Sequence, residues 1–107
     1  MSQEWLKIAD CSHIGEDETL AVECEGQEVC LYNLAGQIYA TDNRCTHGEA
    51  DLSDGLIVDG CLIECPLHEG AFDIRTGAPV KLPCTDALRC HEVKVEAGAI
   101  FLRASKA

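Results

Sequence analysis

The sequence predicts a small all-β domain in which two loops project from a sandwich or barrel base. Short apolar segments alternate with X-Gly pairs along most of the chain, which is typical of strands joined by tight turns. No segment has helical periodicity beyond a turn or two. A chain of 107 residues is close to the commonest size of one domain. We therefore predict a single domain spanning residues 1–107.

Eight short segments have the residue preferences of β-strands. In chain order they are Trp5 to Ile8, Leu20 to Cys24, Val29 to Asn33, Ile38 to Thr41, Leu62 to Glu64, Phe72 to Ile74, Cys90 to Val95 and Ile100 to Leu102. Val93 and Val95 alternate with charged residues, as expected for a strand with one buried face. The polar segment Asp10 to Asp17 predicts a loop or a short helical turn. The acidic segment Ala50 to Gly60 predicts a connector with little structure of its own.

Five X-Gly pairs predict the turns between these strands, because glycine adopts a positive φ without steric cost. They are Glu25-Gly26, Ala35-Gly36, Asp59-Gly60, Thr76-Gly77 and Ala97-Gly98. Most of them separate two predicted strands.

Two Cys-His pairs are the candidate metal ligands. Cys45-x-His47 is followed, after 17 residues, by Cys65-x2-His68. Thiolates and imidazoles are the ligands that hold borderline-soft transition metals. Structural zinc remains an alternative, although zinc fingers place a Cys pair before a His pair. The spacings of all-Cys iron–sulfur clusters are absent. In a Rieske centre, two Cys bind one iron and two His bind the other, which fits this alternating order.

The two stretches Cys45-Thr46-His47-Gly48 and Cys65-Pro66-Leu67-His68-Glu69-Gly70-Ala71-Phe72-Asp73 closely resemble the Rieske ferredoxin family. The resemblance covers nearly the whole chain. It implies a Rieske-like β-sandwich or barrel base with a small two-loop cluster-binding subdomain at about residues 43–73. It also implies one Rieske-type 2Fe-2S cluster, with Cys45, His47, Cys65 and His68 as its ligands.

The reduction potential is expected near the low end of the Rieske range. Two ferric ions, two sulfides and two thiolates sum to zero charge, so an electron is added more easily than to a four-thiolate cluster. High-potential family members have a disulfide and two hydroxyl donors, at positions that correspond to Ala50 and Leu67 and to Gly70 and Phe72. Their absence predicts a value of roughly −150 mV. Backbone N–H groups are expected to point at the sulfurs instead.

Further roles are predicted for residues around the ligands. Gly48 is expected to allow close approach of the backbone to the cluster, and Asp73 either caps or bridges its loop or is a solvated acid. Phe72 is expected in the core. A stiff third loop containing Gly77, Pro79 and Pro83 could cover the cluster, as the resemblance implies.

The remaining cysteines and histidines are predicted to have no special chemistry. Cys11, Cys24, Cys30, Cys61, Cys84 and Cys90 are expected to act as small hydrophobes in a reducing compartment. His13 and His91 are expected to be ordinary surface or half-buried residues. An oxygenase would need two His and a carboxylate for a second iron, so self-contained oxygenation is not expected and no catalytic residue is assigned.

Composition restricts the partners. A net charge of −11 disfavours nucleic acid and anionic membranes, and no apolar segment is long enough to span a membrane. The first residues lack the features of a signal peptide, so cytoplasm is expected. Acidic residues near the loops are candidates for contact with basic partners: Glu49, Asp51, Asp54, Glu64 and Glu69.

The resulting functional hypothesis is a monomeric, soluble one-electron carrier. The family resemblance implies that it receives electrons from a flavin-containing NAD(P)H ferredoxin reductase. It would pass them to the terminal oxygenase of an aromatic-ring-hydroxylating dioxygenase, through transient docking. The alternative is the small Rieske-like subunit of an assimilatory nitrite reductase.

Overall fold

The fold consists of ten short strands in two antiparallel sheets. The computed structural model describes residues 5–46, 48–67 and 69–103. Its strands are β1 (Leu6–Asp10), β2 (Thr19–Cys24), β3 (Gln27–Leu34), β4 (Gln37–Asp42), β5 (Leu56–Val58), β6 (Leu62–Glu64), β7 (Ala71–Asp73), β8 (Pro79–Lys81), β9 (Cys90–Glu96) and β10 (Ala99–Arg103). Two 3-10 turns, Cys11–His13 and Leu52–Asp54, accompany them. Within the described ranges, no helix has the length and apolarity needed to cross a bilayer.

The larger sheet is the base of the molecule. Its strand order is β1-β10-β9-β4-β3-β2, and its edge strands β1 and β2 approach each other, so the sheet is a nearly closed barrel. The smaller sheet has the order β5-β6-β7-β8. This arrangement confirms the predicted all-β class, with a barrel base and a separate small unit.

Each of the eight predicted strands has a counterpart, but β5 and β8 were not predicted. The expectation that the connector from Ala50 to Gly60 has little structure of its own is wrong, because this segment contains the turn Leu52–Asp54 and β5. A strand of three residues is too short to show an alternating pattern. β5 and β8 exist because they pair with β6 and β7, respectively.

Four of the five predicted X-Gly turns have positive φ at both residues. These are Glu25-Gly26, Ala35-Gly36, Asp59-Gly60 and Ala97-Gly98. Such turns match the twist of antiparallel strands, and they are typical of tight hairpins. At the fifth, only Gly77 has a positive φ of 80°, and its amide donates to the carbonyl oxygen of Asp73 at 2.7 Å.

Two hydrophobic cores share strand β3. Val29 and Leu31 face the interior of the barrel, together with residues such as Ile100 and Leu102. Cys30, Tyr32 and Leu34 face the second core, between the barrel and the small sheet. Alternate residues of a strand point to opposite faces, so one strand supplies both cores. The second core contains Cys45 and Cys65, which places it directly beneath the predicted cluster.

Candidate metal centre

The first Cys-His loop (residues 43–51) is closed by backbone hydrogen bonds. The amide of Cys45 donates to the carbonyl of Ala50 at 2.9 Å. At the base of the loop, the amide of Leu52 donates to the carbonyl of Asn43 at 2.7 Å. The buried side chain of Asn43 also accepts a hydrogen bond, at 2.9 Å, from the amide of Ser53. The loop is therefore held at its base and across its middle.

The second Cys-His loop (residues 65–70) joins β6 to β7. The amide of Cys65 donates to the carbonyl of Gly70 at 2.7 Å, which closes the loop. The amide of Leu67 donates to the sulfur of Cys65 at 3.4 Å. A donor to this sulfur matches the expectation that backbone N–H groups point at the ligand sulfurs. Glu69 has a φ of 58°, in the left-handed region that a non-glycine residue adopts only at a cost.

The two loops bring two of the four predicted ligands together. Cys45 is 2% exposed and Cys65 is 1% exposed, and their thiols are in hydrogen-bond contact. Burial raises the pKa of Cys65 to about 11, while the Leu67 amide opposes this rise. His47 and His68 lie outside the described residues. Inside the described ranges, no three His, Cys, Asp or Glu side chains are arranged to hold a metal ion by themselves.

A third loop (residues 82–89) packs against both Cys-His loops. Its Pro83 and Cys84 lie beside Gly70, where an added Cβ would collide with the Cys84 sulfur. The Thr46 hydroxyl donates to the carbonyl of Asp86 at 2.7 Å, which joins the first loop to the third. A third loop that contains Pro83 therefore exists, whereas Pro79 belongs to β8. That it covers the cluster stays a prediction.

Cys84 is a residue that sequence analysis did not assign to the site. It was predicted to be inert, yet its thiol is buried and makes hydrogen-bond contact with Cys45. Burial raises the pKa of Cys84 to about 12. The sequence offered one signal, the position of Cys84 between Pro83 and Thr85, four residues before Leu88. The structure shows that Leu88 is the next buried apolar residue.

Comparison with known proteins decides the family. The model of the Rieske 2Fe-2S domain matches residues 4–92. The chain belongs to the Rieske family. Its cofactor is one Rieske-type 2Fe-2S cluster, and two buried thiols with an amide donor to one sulfur fit that group.

Individual relatives agree with this assignment. The chain is 43% identical over 103 residues to the ferredoxin component of the naphthalene 1,2-dioxygenase/salicylate 5-hydroxylase systems of a Ralstonia species, covering 96% of this chain and 98% of the relative. A chain in the structure of a complex of reduced oxygenase and oxidized ferredoxin in carbazole 1,9a-dioxygenase is 39% identical, with a TM-score of 0.89. That match covers 99% of this chain and 98% of the other.

A more distant structure shares the fold alone. It is described as a "putative nitrite reductase NADPH (small subunit) oxidoreductase protein", is 20% identical, and has a TM-score of 0.81. The match covers 94% of this chain and 99% of that chain.

Several predicted accessory roles in the Rieske site are now resolved. A Cβ added at Gly48 would lie 3.2 Å from the Leu67 side chain, so the two Cys-His loops are close together there. The approach of the Gly48 backbone to the cluster stays a prediction. Phe72 is fully buried in the second core, as expected. Asp73 caps its turn, because its carboxylate accepts the Arg75 amide at 2.8 Å. Hydrogen bonding and ion pairing with Arg75 lower the pKa of Asp73.

A part-buried group of polar side chains links the third loop to the barrel. Asp42, the last residue of β4, pairs with His91 Nε2 at 2.8 Å and accepts from Arg89 Nε at 3.2 Å. The expectation that His91 is surface or half-buried is wrong, because its side chain is 0% exposed. His13 is an ordinary exposed residue, as expected. Arg89 and His91 follow Asp42 by 47 and 49 positions, so no local sequence pattern indicated these contacts.

None of the eight cysteines forms a disulfide, and all of them lie in the described part of the chain. This agrees with the expectation that they do not form a disulfide scaffold. Cys24 and Cys30 are buried in the base, as predicted for small hydrophobes.

Proposed function

We propose that residues 1–107 form one Rieske domain that carries single electrons. The donor is a flavin-containing NAD(P)H ferredoxin reductase, and the acceptor is the terminal oxygenase of an aromatic-ring-hydroxylating dioxygenase. The observation that carries this proposal is the pair of buried, adjacent thiols of Cys45 and Cys65 at one end of a barrel. The named relatives, which are ferredoxin components of such systems, support the choice of partners.

The proposed ligands are Cys45 and Cys65 for one iron, and His47 and His68 for the other. The cluster supplies reversible one-electron chemistry. The chain excludes water from the thiol side, because both cysteines belong to the second core. The Leu67 amide stabilises negative charge on the Cys65 sulfur, which favours the reduced state. These residues therefore influence the reduction potential and the lifetime of the cluster. No residue is assigned to catalysis.

The proposed docking surface surrounds the Cys-His loops. A cleft of about 390 Å³ is lined by residues of the first and second loops and of the Leu52–Asp54 turn, among them Glu49, Asp51, Asp54 and Leu67. Carboxylates in this position favour encounter with a basic partner surface. Leu82 is 75% exposed in the third loop and adds apolar area beside the site. A contact of this kind fits a transient redox encounter, which buries less than about 1,200 Å².

The proposal includes a monomer that works in the cytoplasm. Support comes from eight cysteines without a disulfide, a pattern usual in reducing compartments.

A reconstituted turnover assay tests the function. Purified protein is mixed with a ferredoxin reductase, NADH and candidate terminal oxygenases, and hydroxylated product is measured with and without the protein. Ring hydroxylation that requires the protein supports the proposal. Absence of any transfer to an oxygenase, together with tight co-purification with a nitrite-reducing flavoprotein, would contradict it.

Salt dependence tests the docking surface in the same assay. If the carboxylates steer encounter, the rate of reduction by a reductase falls as ionic strength rises. Asp51→Asn and Asp54→Asn should flatten this dependence, whereas Glu23→Gln, at an exposed position of β2 in the base, should leave it unchanged. A salt-independent rate in the unmodified protein would exclude steering by these residues.

A further inference from the structure

Cys84 lies outside both Cys-His motifs but shares their interior. Its thiol is 3% exposed and makes hydrogen-bond contact with the thiol of Cys45. The backbone around it is fixed, because the Cys84 amide donates to the Lys81 carbonyl at 3.2 Å. The bond from Thr46 to the Asp86 carbonyl holds the same loop against the first Cys-His loop.

The Cys84 thiol also fills the space in front of Gly70. A Cβ built on Gly70 would collide with the Cys84 sulfur, and it would lie 3.2 Å from both the Cys84 amide nitrogen and Pro83 Cδ. Positions 70 and 84 therefore share one volume beside the predicted ligands. In this chain, the side chain that occupies it comes from the third loop and carries an S–H group.

We propose that Cys84 is a positioning residue for the cluster, whose S–H group donates a hydrogen bond to the sulfur of Cys45. The inference rests on the proposed function, since it takes Cys45 as an iron ligand. It gives each ligand sulfur one donor: the Leu67 amide for Cys65 and the Cys84 thiol for Cys45. A donor to a ligand sulfur stabilises the added electron, so Cys84 raises the reduction potential.

Redox titration of single variants tests the hydrogen bond. Cys84→Ala removes the donor, and Cys84→Ser replaces a weak S–H donor with a stronger O–H donor. We expect Cys84→Ala to lower the equilibrium constant for one-electron reduction about threefold. At 59 mV per tenfold change, the reduction potential then falls by about 28 mV. The serine variant should match or exceed the potential of the unmodified protein.

A matched control is available in the barrel. Cys24 is also 3% exposed but belongs to the other core. Cys24→Ala should therefore leave the potential unchanged. If Cys84→Ala behaves like Cys24→Ala, or if it raises the potential, the proposal is wrong.

A double-mutant cycle tests the shared volume independently. Gly70→Ser alone should shorten the lifetime of the visible absorption of the cluster at least threefold, because the new side chain collides with the Cys84 thiol. In the Cys84→Ala background, the same Gly70→Ser change should be tolerated and should raise the potential relative to Cys84→Ala. Equal effects of Gly70→Ser in both backgrounds would show that the two positions do not share a volume.

Failure of the proposed function and failure of the Cys84 role give different results. Iron and acid-labile sulfide are measured in every preparation. Their absence from the unmodified protein would overturn the proposed function and, with it, the role of Cys84. A cluster that is present with an unaltered potential in both Cys84 variants overturns the role of Cys84 alone. If Cys84→Ala loses its cluster, the serine variant still decides the question, because a potential below that of the unmodified protein overturns the role of Cys84.

Discussion

The barrel and the cluster end of this molecule are stabilised in different ways. The interior of the barrel is mainly aliphatic, and three X-Gly turns join β2 to β3, β3 to β4 and β9 to β10 among its strands of five to eight residues. The cluster end has four strands of three residues each, and its loops are held by individual hydrogen bonds and packed thiols. Short strands with few neighbours are marginal on their own. The comparison indicates that the barrel is an independent scaffold, whereas the cluster end depends on the scaffold and on its cofactor.

Loss of a proposed ligand should affect the two regions unequally, and this is the largest expected effect. In Cys65→Ala, we expect iron and sulfide to fall below about a tenth of the normal content, because one iron loses a thiolate. The barrel strands should keep their far-UV signal in the soluble fraction. Metal analysis and circular dichroism measure both. Cys24→Ala, in the barrel, is the control and should retain its cluster; normal iron content in Cys65→Ala would exclude Cys65 as a ligand.

Replacing an imidazole with a thiolate should change the cluster without changing the barrel. His68→Cys adds one negative charge to the cluster, so we expect a potential lower by on the order of 100 mV, toward the values of all-Cys ferredoxins. The visible spectrum should change as well. Voltammetry and absorption spectroscopy measure these changes. Identical spectra for the variant and the unmodified protein would contradict the assignment of His68.

Removal of the cluster should loosen only the cluster end. In the apoprotein, we expect the amides of Cys45, Cys65 and Leu67 to exchange at least tenfold faster than in the holoprotein, because metal binding contributes directly to folding free energy. Amides in β3, such as that of Leu31, should change much less. Hydrogen exchange read by NMR or mass spectrometry provides the comparison. Uniform acceleration across β3 and the loops would show that the barrel is not an independent scaffold.

The capped turn after β7 should contribute the smallest effect. Hydrogen bonding to Arg75 lowers the pKa of Asp73. A carboxylate with a lowered pKa stabilises the folded state above its unfolded pKa of about 3.9, and this contribution is lost as pH falls through the folded value. Asp73→Asn should therefore cost about 1 kcal/mol at pH 7 and less at pH 3. Urea unfolding at the two pH values measures this, with Asp59→Asn, in an exposed turn, as the control.

The same contrast explains what could be predicted from the sequence. The barrel strands and four X-Gly turns were predicted correctly, because hairpin geometry depends on neighbouring residues. The strands β5 and β8 were missed, because three residues form a strand only when a partner lies beside them. The contacts of Cys84 with Cys45 and of Asp42 with His91 join distant positions. Contacts of this range depend on the packed structure, and no local pattern encodes them.

The alternation along β3 constrains how this protein can be re-engineered. Insertion of one residue into β3 would exchange the side chains of its two faces, sending Tyr32 into the barrel and Leu31 toward the iron–sulfur site. The length of β3 therefore determines which side chains enter each of the two cores. Tethers for electrodes or fusion partners belong instead at hairpin tips such as Glu25-Gly26, where added length leaves the strand register intact.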